Sequence, residues 1–203
     1  TGGLALRWYK DQICKKEQDG DYYQVMSKEA SKVPAGSNGV LFLPYLTGGS
    51  GENANACGCF LNMTLDTDQF VLWRAVLEAI GYDYMEITDI YRSAGVDLSR
   101  IAITEGGSRD DLWNQMKADM LDSKVITLEN AGGAVVTNCL FGAYAVNHIQ
   151  DIKGKLEGYL KIKKNYHPDK EQAKMYRELY QVQKELVKQD LGAAFAKLEK
   201  IRN

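Results

Sequence analysis

Apolar side chains recur at alternating steps of three and four across residues 67–94, the longest such pattern in the chain. Steps of this kind place side chains on one face of a helix. At about 1.5 Å per residue the predicted helix is roughly 40 Å long, begins after a cap at Asp66 or Thr67 and ends at Gly95. Such a stripe is typical of a core and not of a cofactor site. Its members are Phe70, Trp73, Leu77, Ile80, Tyr84, Ile87 and Tyr91.

Shorter apolar and amphipathic segments alternate through the rest of the chain. Apolar runs predict strands at residues 40–43, 100–104 and 125–128, and helical patterns are found at residues 4–15 and 132–144 and in two further helices. This alternation indicates an α/β fold with some parallel strands. The apolar positions of the two further helices are Leu112, Met116 and Met120 in one, and Met175, Leu179, Val182 and Leu186 in the other.

The connections are predicted from polar and small residues. Residues 47–58 are rich in Gly, Asn and Ala and read as an exposed loop, and a polar connector is expected between His148 and Pro168. The small residues of the 132–144 segment predict close packing of that helix against the sheet.

Residues 101–113 form the most informative stretch, because a short strand is followed by a glycine pair and a helix start. Gly106 and Gly107 allow a ligand to approach the backbone closely, and in open α/β folds this turn lies at the end of a strand where ligands commonly bind. Ser108 is a good N-cap, with Asp111 three residues later completing a pattern close to a capping box.

The charges at this helix start limit which part of a ligand is expected to bind there. Asp110 and Asp111 both favour the positive end of the helix dipole and would repel a phosphate at the same place. A nucleotide bound here is therefore expected to present its ribose and adenine to the turn. A well-capped helix with no ligand is the alternative interpretation of the same residues.

Composition and charge exclude several classes of protein. The 203 residues are 45% hydrophobic and 26% charged with a net charge of −2, which is typical of a globular protein and argues against nucleic acid as a partner. No apolar run reaches transmembrane length, so no membrane association is expected. The first residues lack a signal-peptide pattern and an initiator Met, and the chain is expected to be part of something longer.

The cysteines do not form the pattern of a disulfide framework or a zinc site. Four occur in the chain, and the Cys57–Cys59 pair is spaced too tightly for a structural zinc site. Only His148 and His167 are available to complete a metal site. Buried thiols in a reducing, cytoplasmic setting are expected.

Four segments, taken in order, resemble the C-terminal half of the FGGY carbohydrate kinases, and among these the xylulokinase-type members most. They are residues 3–11 (GLALRWYKD), 41–48 (LFLPYLTG), 74–78 (RAVLE) and 105–115 (EGGSRDDLWNQ). The resemblance runs from Gly3 to about Tyr180. It implies an actin-like, ribonuclease H-like ATPase fold with a mixed sheet flanked by helices, and residues 1–203 would be the C-terminal nucleotide-binding domain of a two-domain sugar kinase.

The resemblance also implies an activity that this chain does not carry alone. In such kinases two domains face each other across a cleft, and the γ-phosphate of ATP passes to a sugar hydroxyl in the presence of Mg²⁺. The catalytic aspartate belongs to the N-terminal domain, so no catalytic residue is assigned here, and Asp66, Asp83 and Asp122 are not taken as catalytic bases. The implied partners are that domain and a sugar in the cleft, such as D-xylulose or a related ketose or polyol, and a homodimer is possible.

Nucleotide binding is what the resemblance transfers to this chain. Gly3 and Arg7 match positions that face the ATP phosphates, whereas Gly106, Gly107 and Ser108 match the turn on the adenosine side. Asp110 or Asp111 falls where the family places a polar contact to the base. Glu78 matches a family glutamate, for which anchoring of backbone amides and contact with a ligand both remain open.

The chain departs from the family in the loop after Thr47. The family's usual Gly-Glu-Arg and Ala-Arg-Gly stretches read Gly48-Gly49-Ser50 and Ala56-Cys57-Gly58 here, so both arginines are absent, and Glu105 replaces the first residue of a glycine triplet. The alternative hypothesis is therefore a non-catalytic actin-like interaction module that has lost the sugar site. A dehydrogenase of the Rossmann type is disfavoured, because no G-x-G-x-x-G follows a strand.

Overall fold

The computed structural model describes residues 2–15, 20–49, 54–104, 106–129, 133–159 and 161–202. Glu105 and Gly132, which the sequence analysis singled out, lie outside these ranges. The helices are α1 (Gly2–Trp8), α2 (Tyr22–Ala30), α3 (Gln69–Ser93), α4 (Asp111–Leu121), α5 (Gly133–Ala145), α6 (Ile152–Tyr159), α7 (Lys170–Glu185) and α8 (Gly192–Arg202). The strands are β1 (Leu41–Leu43), β2 (Cys59–Leu61), β3 (Arg100–Ile103), β4 (Lys124–Leu128) and β5 (Ile162–Tyr166). Single π-helical turns continue α1 and α7 at Tyr9–Ile13 and Leu186–Asp190.

A three-stranded mixed sheet carries the site described below. β3 pairs in parallel with β4, with Ile101 opposite Val125, and α4 connects the two strands. β5 pairs with β4 in the antiparallel direction. The predicted strands β3 and β4 are therefore confirmed, and their pairing agrees with the expectation of some parallel strands.

β5 lies between His148 and Pro168, where a polar connector was expected, so that expectation is wrong. Four of its five residues are exposed, so the strand has none of the apolar alternation that reveals a half-buried strand. Only Tyr166 at its end is buried. Helix α6, in the same part of the chain, was missed for the same reason, because none of its residues is buried.

A separate two-stranded sheet supports the main core. β1 pairs with β2 in the antiparallel direction, with Leu41 opposite Leu61 and Leu43 opposite Cys59. All three residues of β1 are buried, as its apolar run predicts, whereas β2 is only partly buried and was not predicted.

The long helix α3 agrees with its predicted length and end. Gly95 has a φ of +78°, and the amide of Val96 donates to the carbonyl of Tyr91 (3.0 Å), a glycine-terminated helix end of the Schellman type. The start differs from the prediction, because Asp68 is the N-cap, and its Oδ1 accepts from the amides of Phe70 and Val71 (both 2.9 Å).

The aromatic stripe of α3 is buried over only part of its length. Trp73, Leu77 and Ile80 are 1–2% exposed, whereas Ile87 and Tyr91 are 49% and 52% exposed. The helix therefore extends beyond the core against which its first half packs. The main core joins α1, α2, β1 and α3.

The predicted buried face of α7 is wrong in detail. α7 buries Tyr176, Tyr180 and Gln183, and Val182 of the predicted face is 44% exposed, so the buried face is rotated by about one residue. Tyr176 and Tyr180, each one residue after a predicted position, are the buried aromatic side chains of this face.

Helix α5 lies at the surface, contrary to the predicted packing against the sheet. None of its residues is buried, and Val135 and Phe141 are 68% and 56% exposed. Small residues permit a close approach between helix and sheet but do not enforce one. Within the described ranges no helix combines the length and the apolar character needed to cross a membrane.

Candidate functional site

A cavity of about 1240 Å³ lies between α1, α2, α3, β3 and the start of α4. Its walls combine apolar side chains such as Trp73, Leu77 and Ile103 with polar groups of α2 and α4. A mainly apolar cavity with a few convergent polar groups is typical of small-molecule sites, and this one has room for a nucleoside.

Five of the seven predicted binding residues line this cavity. The turn and the helix start contribute at one end and α1 at the other, and these residues are Gly3, Gly106, Gly107, Asp110 and Asp111. Arg7 is exposed on α1, and neither it nor Ser108 is among the lining residues. The two segments assigned to phosphates and to adenosine are thus brought to one cavity, although they are about a hundred residues apart in the chain.

The glycine turn is separated from the helix that follows it. Gly106–Ser108 form a short 3₁₀ turn, and the amide of Arg109 donates to the carbonyl of Gly106 (3.3 Å). The N-cap of α4 is Asp110, whose Oδ1 accepts from the amide of Trp113 (3.1 Å), so the prediction that Ser108 caps this helix is wrong. Ser108 is the last residue of the 3₁₀ turn, and the α-helix begins only after Asp110, two residues later.

Both carboxylates at this helix start have protein partners. Asp110 accepts a short hydrogen bond from the hydroxyl of Ser27, which connects α2 with α4 at the cavity wall. Asp111 accepts from Lys164 (2.8 Å) and from the hydroxyl of Tyr166, both on β5. Hydrogen bonds from Lys164 and then from Tyr166 lower the pKa of the Asp111 carboxyl, which keeps a negative charge beside the turn.

Two side chains of α4 that the sequence analysis did not single out hold the glycine turn. Lys117 donates from Nζ to the carbonyl of Gly107 (2.7 Å), and Asn114 donates from Nδ2 to the carbonyl of Ser108 (2.8 Å). Lys117 is 2% exposed and its Nζ lies 3.8 Å from the centre of the Trp113 ring. The spacing of Trp113 and Lys117, four residues apart on a helix, is the signal that could have revealed this contact.

Burial lowers the pKa of the Lys117 side chain. Desolvation lowers the pKa of its ammonium group to about 8, and the negative charge of Asp110 opposes this shift. Among the ion pairs of the described residues none involves Lys117. A carbonyl, an amide oxygen of Asn114 (3.4 Å) and an indole ring therefore surround this cation.

Glu78 anchors a backbone amide, which was one of the two roles left open for it. The carboxylate is 1% exposed and accepts from the amide of Gly36 (2.9 Å) and the hydroxyl of Ser37 (2.7 Å). Arg74 (3.1 Å) and the hydroxyl of Tyr176 (3.1 Å) complete its partners. Glu78 is not among the cavity residues, and it fixes the turn before β1 against α3 and α7.

The three aspartates that were not taken as catalytic bases lie away from the cavity. Asp122, which follows α4 in a left-handed backbone conformation, forms an ion pair with Lys170 (2.6 Å). Burial, with the charge of Glu86, raises the pKa of the Asp83 carboxyl to about 6. No group of three or more His, Cys, Asp or Glu side chains within the described ranges is arranged to hold a metal ion.

Comparison with known proteins identifies the family. The model of the C-terminal domain of the FGGY family of carbohydrate kinases matches residues 1–146. The chain belongs to the FGGY family of carbohydrate kinases. This confirms the resemblance drawn from its sequence motifs.

Curated relatives of this FGGY chain are considerably longer. A gluconokinase of Bacillus licheniformis is 31% identical over 190 residues, which cover 88% of this chain and 36% of the relative. A xylulose kinase of Bacillus subtilis is 24% identical over 204 residues, covering 98% of this chain and 40% of the relative. The chain thus spans less than half the length of these relatives.

Solved structures show the fold of the FGGY chain. A xylulose kinase from Lactobacillus acidophilus matches 97% of the chain, and the chain 39% of that structure, with a TM-score of 0.78 at 24% identity. Plasmodium falciparum glycerol kinase with ADP matches 91% of the chain, with 37% of its own length covered, at a TM-score of 0.72 and 18% identity. The expected actin-like ATPase fold, with a mixed sheet flanked by helices, is confirmed.

Proposed function

We propose that residues 1–203 are the nucleotide-binding C-terminal domain of an ATP-dependent sugar kinase. The observation that carries this proposal is the convergence of Gly3 and the Gly106–Gly107 turn on one cavity of about 1240 Å³ in a chain of this family. A structural relative has been solved with ADP, which supports an adenine nucleotide as the ligand.

The two ends of the nucleotide are assigned by charge. Asp110 and Asp111 carry negative charge beside the Gly106–Gly107 turn, so the uncharged ribose and adenine are placed there. The phosphates are directed towards Gly3 and the first turns of α1, where Arg7 supplies a positive charge. Ser108 positions the adenosine turn through its carbonyl, which Asn114 holds. If Asp110 or Asp111 contacts the base directly, its carboxylate accepts hydrogen bonds from the base as well as from its protein partners.

The chemistry of the proposed reaction is transfer of the γ-phosphoryl group of ATP to a sugar hydroxyl. The catalytic aspartate and the other wall of the sugar cleft are assigned to an N-terminal domain outside this chain. Mg²⁺ would neutralise phosphate charge, and the described residues gather no carboxylate cluster for it, so its ligands are assigned to the nucleotide and that domain. This chain contributes the binding and orientation of ATP.

The sugar is assigned as a class. Relatives include both gluconokinases and xylulose kinases, so the proposed substrates are D-xylulose, a related ketose or polyol, and gluconate. The segments that lack the family arginines, residues 48–50 and 56–58, are candidates for a different sugar or a different domain interface. A cytoplasmic setting is proposed from the chemistry of ATP and from the free cysteines.

Calorimetric titration of ADP into the full product of the gene, followed by ATP-consumption assays with D-xylulose, gluconate and a panel of polyols, tests the proposal. Saturable ADP binding together with sugar-dependent ATP consumption is expected. The absence of ADP binding would favour the alternative, a non-catalytic interaction module with the same fold.

A further inference from the structure

Lys117 is an unusual side chain for the wall of this cavity. Its ammonium group is almost fully buried, has no carboxylate partner among the described residues, and lies within hydrogen-bonding distance of the Gly107 carbonyl (2.7 Å). The charge of Asp110 acts on the ammonium group but forms no ion pair with it, and a buried charge without a directly paired opposite charge is costly, so that an apolar side chain of similar volume is often tolerated better at such places. The packing of α4 alone therefore gives no reason for a lysine.

The position of the ammonium group beside the glycine turn gives a reason for a lysine at position 117. Lys117 reaches back along α4 over the ring of Trp113, and its Nζ contacts the backbone of the glycine turn. Asn114, one turn earlier, holds the carbonyl of the next residue, Ser108. Two consecutive carbonyls of the turn are thus drawn towards α4 by side chains of that helix.

Such fixation matters because the turn contains two glycines. Glycine populates a wide range of φ and ψ, so the peptides after Gly106 and Gly107 have many conformations unless neighbouring groups restrict them. A binding loop that is already ordered avoids the entropic cost of being ordered by its ligand.

We propose that Lys117 is a positioning residue of the nucleotide site, which holds the Gly106–Ser108 turn in the conformation that receives the adenosine part of ATP or ADP. This inference rests on the proposed function. It assigns Lys117 no contact with the reacting phosphates, and its effect is exerted through the backbone of Gly107.

The test uses the full product of the gene with Lys117→Met, which keeps the side-chain length and removes the charge, and Lys117→Arg, which keeps the charge. Gln115→Met is the matched control, because Gln115 lies on the same helix and contacts Asp119 and the carbonyl of His167 and not the turn. Hydrogen exchange of residues 106–109 is measured without ligand, and ADP affinity is measured by calorimetry. If Lys117→Met does not fold, Lys117→Gln replaces it.

Lys117→Met is expected to speed exchange of the turn and to weaken ADP binding about tenfold, since a hydrogen bond from a charged donor is lost. Lys117→Arg should recover most of the affinity, and Gln115→Met should leave both the turn and the affinity unchanged. Unchanged exchange in Lys117→Met, or faster exchange with unchanged ADP affinity, would overturn the inference. A wild-type protein that binds no ADP is a separate outcome, which overturns the proposed function and this inference with it.

Discussion

Asp83 shows how its surroundings set the charge of a single residue. Burial raises the pKa of its carboxyl to about 6, and the neighbouring charge of Glu86 acts in the same direction. Below pH 4 the carboxyl is protonated in the folded and the unfolded chain alike. Between pH 4 and pH 6 the unfolded chain is ionised while the folded chain resists ionisation, so the folded state loses stability as the pH rises.

Asp83→Asn is expected to remove this loss. The variant should match the wild type near pH 4 and exceed it by about 3 kcal/mol in free energy of unfolding at pH 7, a value that follows from the size of the pKa shift. Urea denaturation at a series of pH values measures the difference. A difference that stays constant from pH 4 to pH 8 would contradict the assigned cause.

Gly107 is the residue at which nucleotide binding is tested most directly. A Cβ added there would lie 3.7 Å from Lys117 Nζ and from the Trp113 ring, which is an ordinary contact, so alanine is accommodated. Gly107→Leu places a larger side chain at the cavity wall and is expected to weaken ADP binding about tenfold or more while the protein remains folded.

The control for this variant is Gly142→Leu on the exposed face of α5, where an added Cβ meets no atom within 4 Å. It should leave ADP affinity unchanged when both variants are compared by calorimetry. Equal affinity of Gly107→Leu and the wild type would argue against the assignment of adenosine to this turn.

The sequence predicted five residues that line the cavity, but not the contacts between them. Gly106 and Gly107 were found because a glycine pair between a strand and a helix has a recognisable pattern. Lys117 was not, since a single lysine on an amphipathic helix is normally solvated, and only the folded chain shows that its ammonium group turns back to the carbonyl of Gly107. The N-cap of α4 was placed two residues early for a similar reason, because Ser108 and Asp110 are equally good caps by composition.

Elements were predictable where their sequences carry an apolar pattern, and this holds even for β3 and α5, of which no residue is buried. α3, β3 and β4 were recognised because their apolar positions follow the helical period or form a continuous run. β5 and α6 have mostly exposed side chains and depend on neighbours distant in the chain, so their sequences lack that signal.

Two glycines in different elements should respond to alanine in opposite ways. Gly95 ends α3 with a φ of +78°, a conformation that a Cβ disfavours, so Gly95→Ala is expected to lower the free energy of unfolding by about 1 kcal/mol. Gly142 lies within α5 in open space, and Gly142→Ala should raise it by about 0.5–1 kcal/mol, since alanine is the better helix former.

Urea denaturation of both variants measures these changes against the same wild type. Neither residue contacts the cavity, so ADP affinity should not change in either variant. An unchanged or higher free energy of unfolding in Gly95→Ala would show that the positive φ of Gly95 does not determine how α3 ends, and a lower one in Gly142→Ala would contradict the helix-propensity argument for α5.

At the scale of the whole molecule, the proposed division of roles between this chain and an N-terminal domain is testable. The family and the actin-like fold were expected from the resemblance of four motifs, taken in order, to a known family, and both are confirmed. The sugar was expected only as a class, and the relatives include both gluconokinases and xylulose kinases. The relatives, of which this chain matches 36–40%, are consistent with that division.

The chain of 203 residues is therefore expected to bind ADP but to transfer no phosphate by itself. The described residues offer a cavity for the nucleotide, yet Asp66, Asp83 and Asp122 lie outside it, and no carboxylate cluster provides a metal site. Coupled assays of ATP consumption with D-xylulose and with gluconate should show no sugar-dependent rate for this chain, and a measurable rate once the same residues are joined to the N-terminal domain. Sugar-dependent phosphate transfer by the chain alone would contradict this prediction, because it would require a catalytic base among residues 1–203.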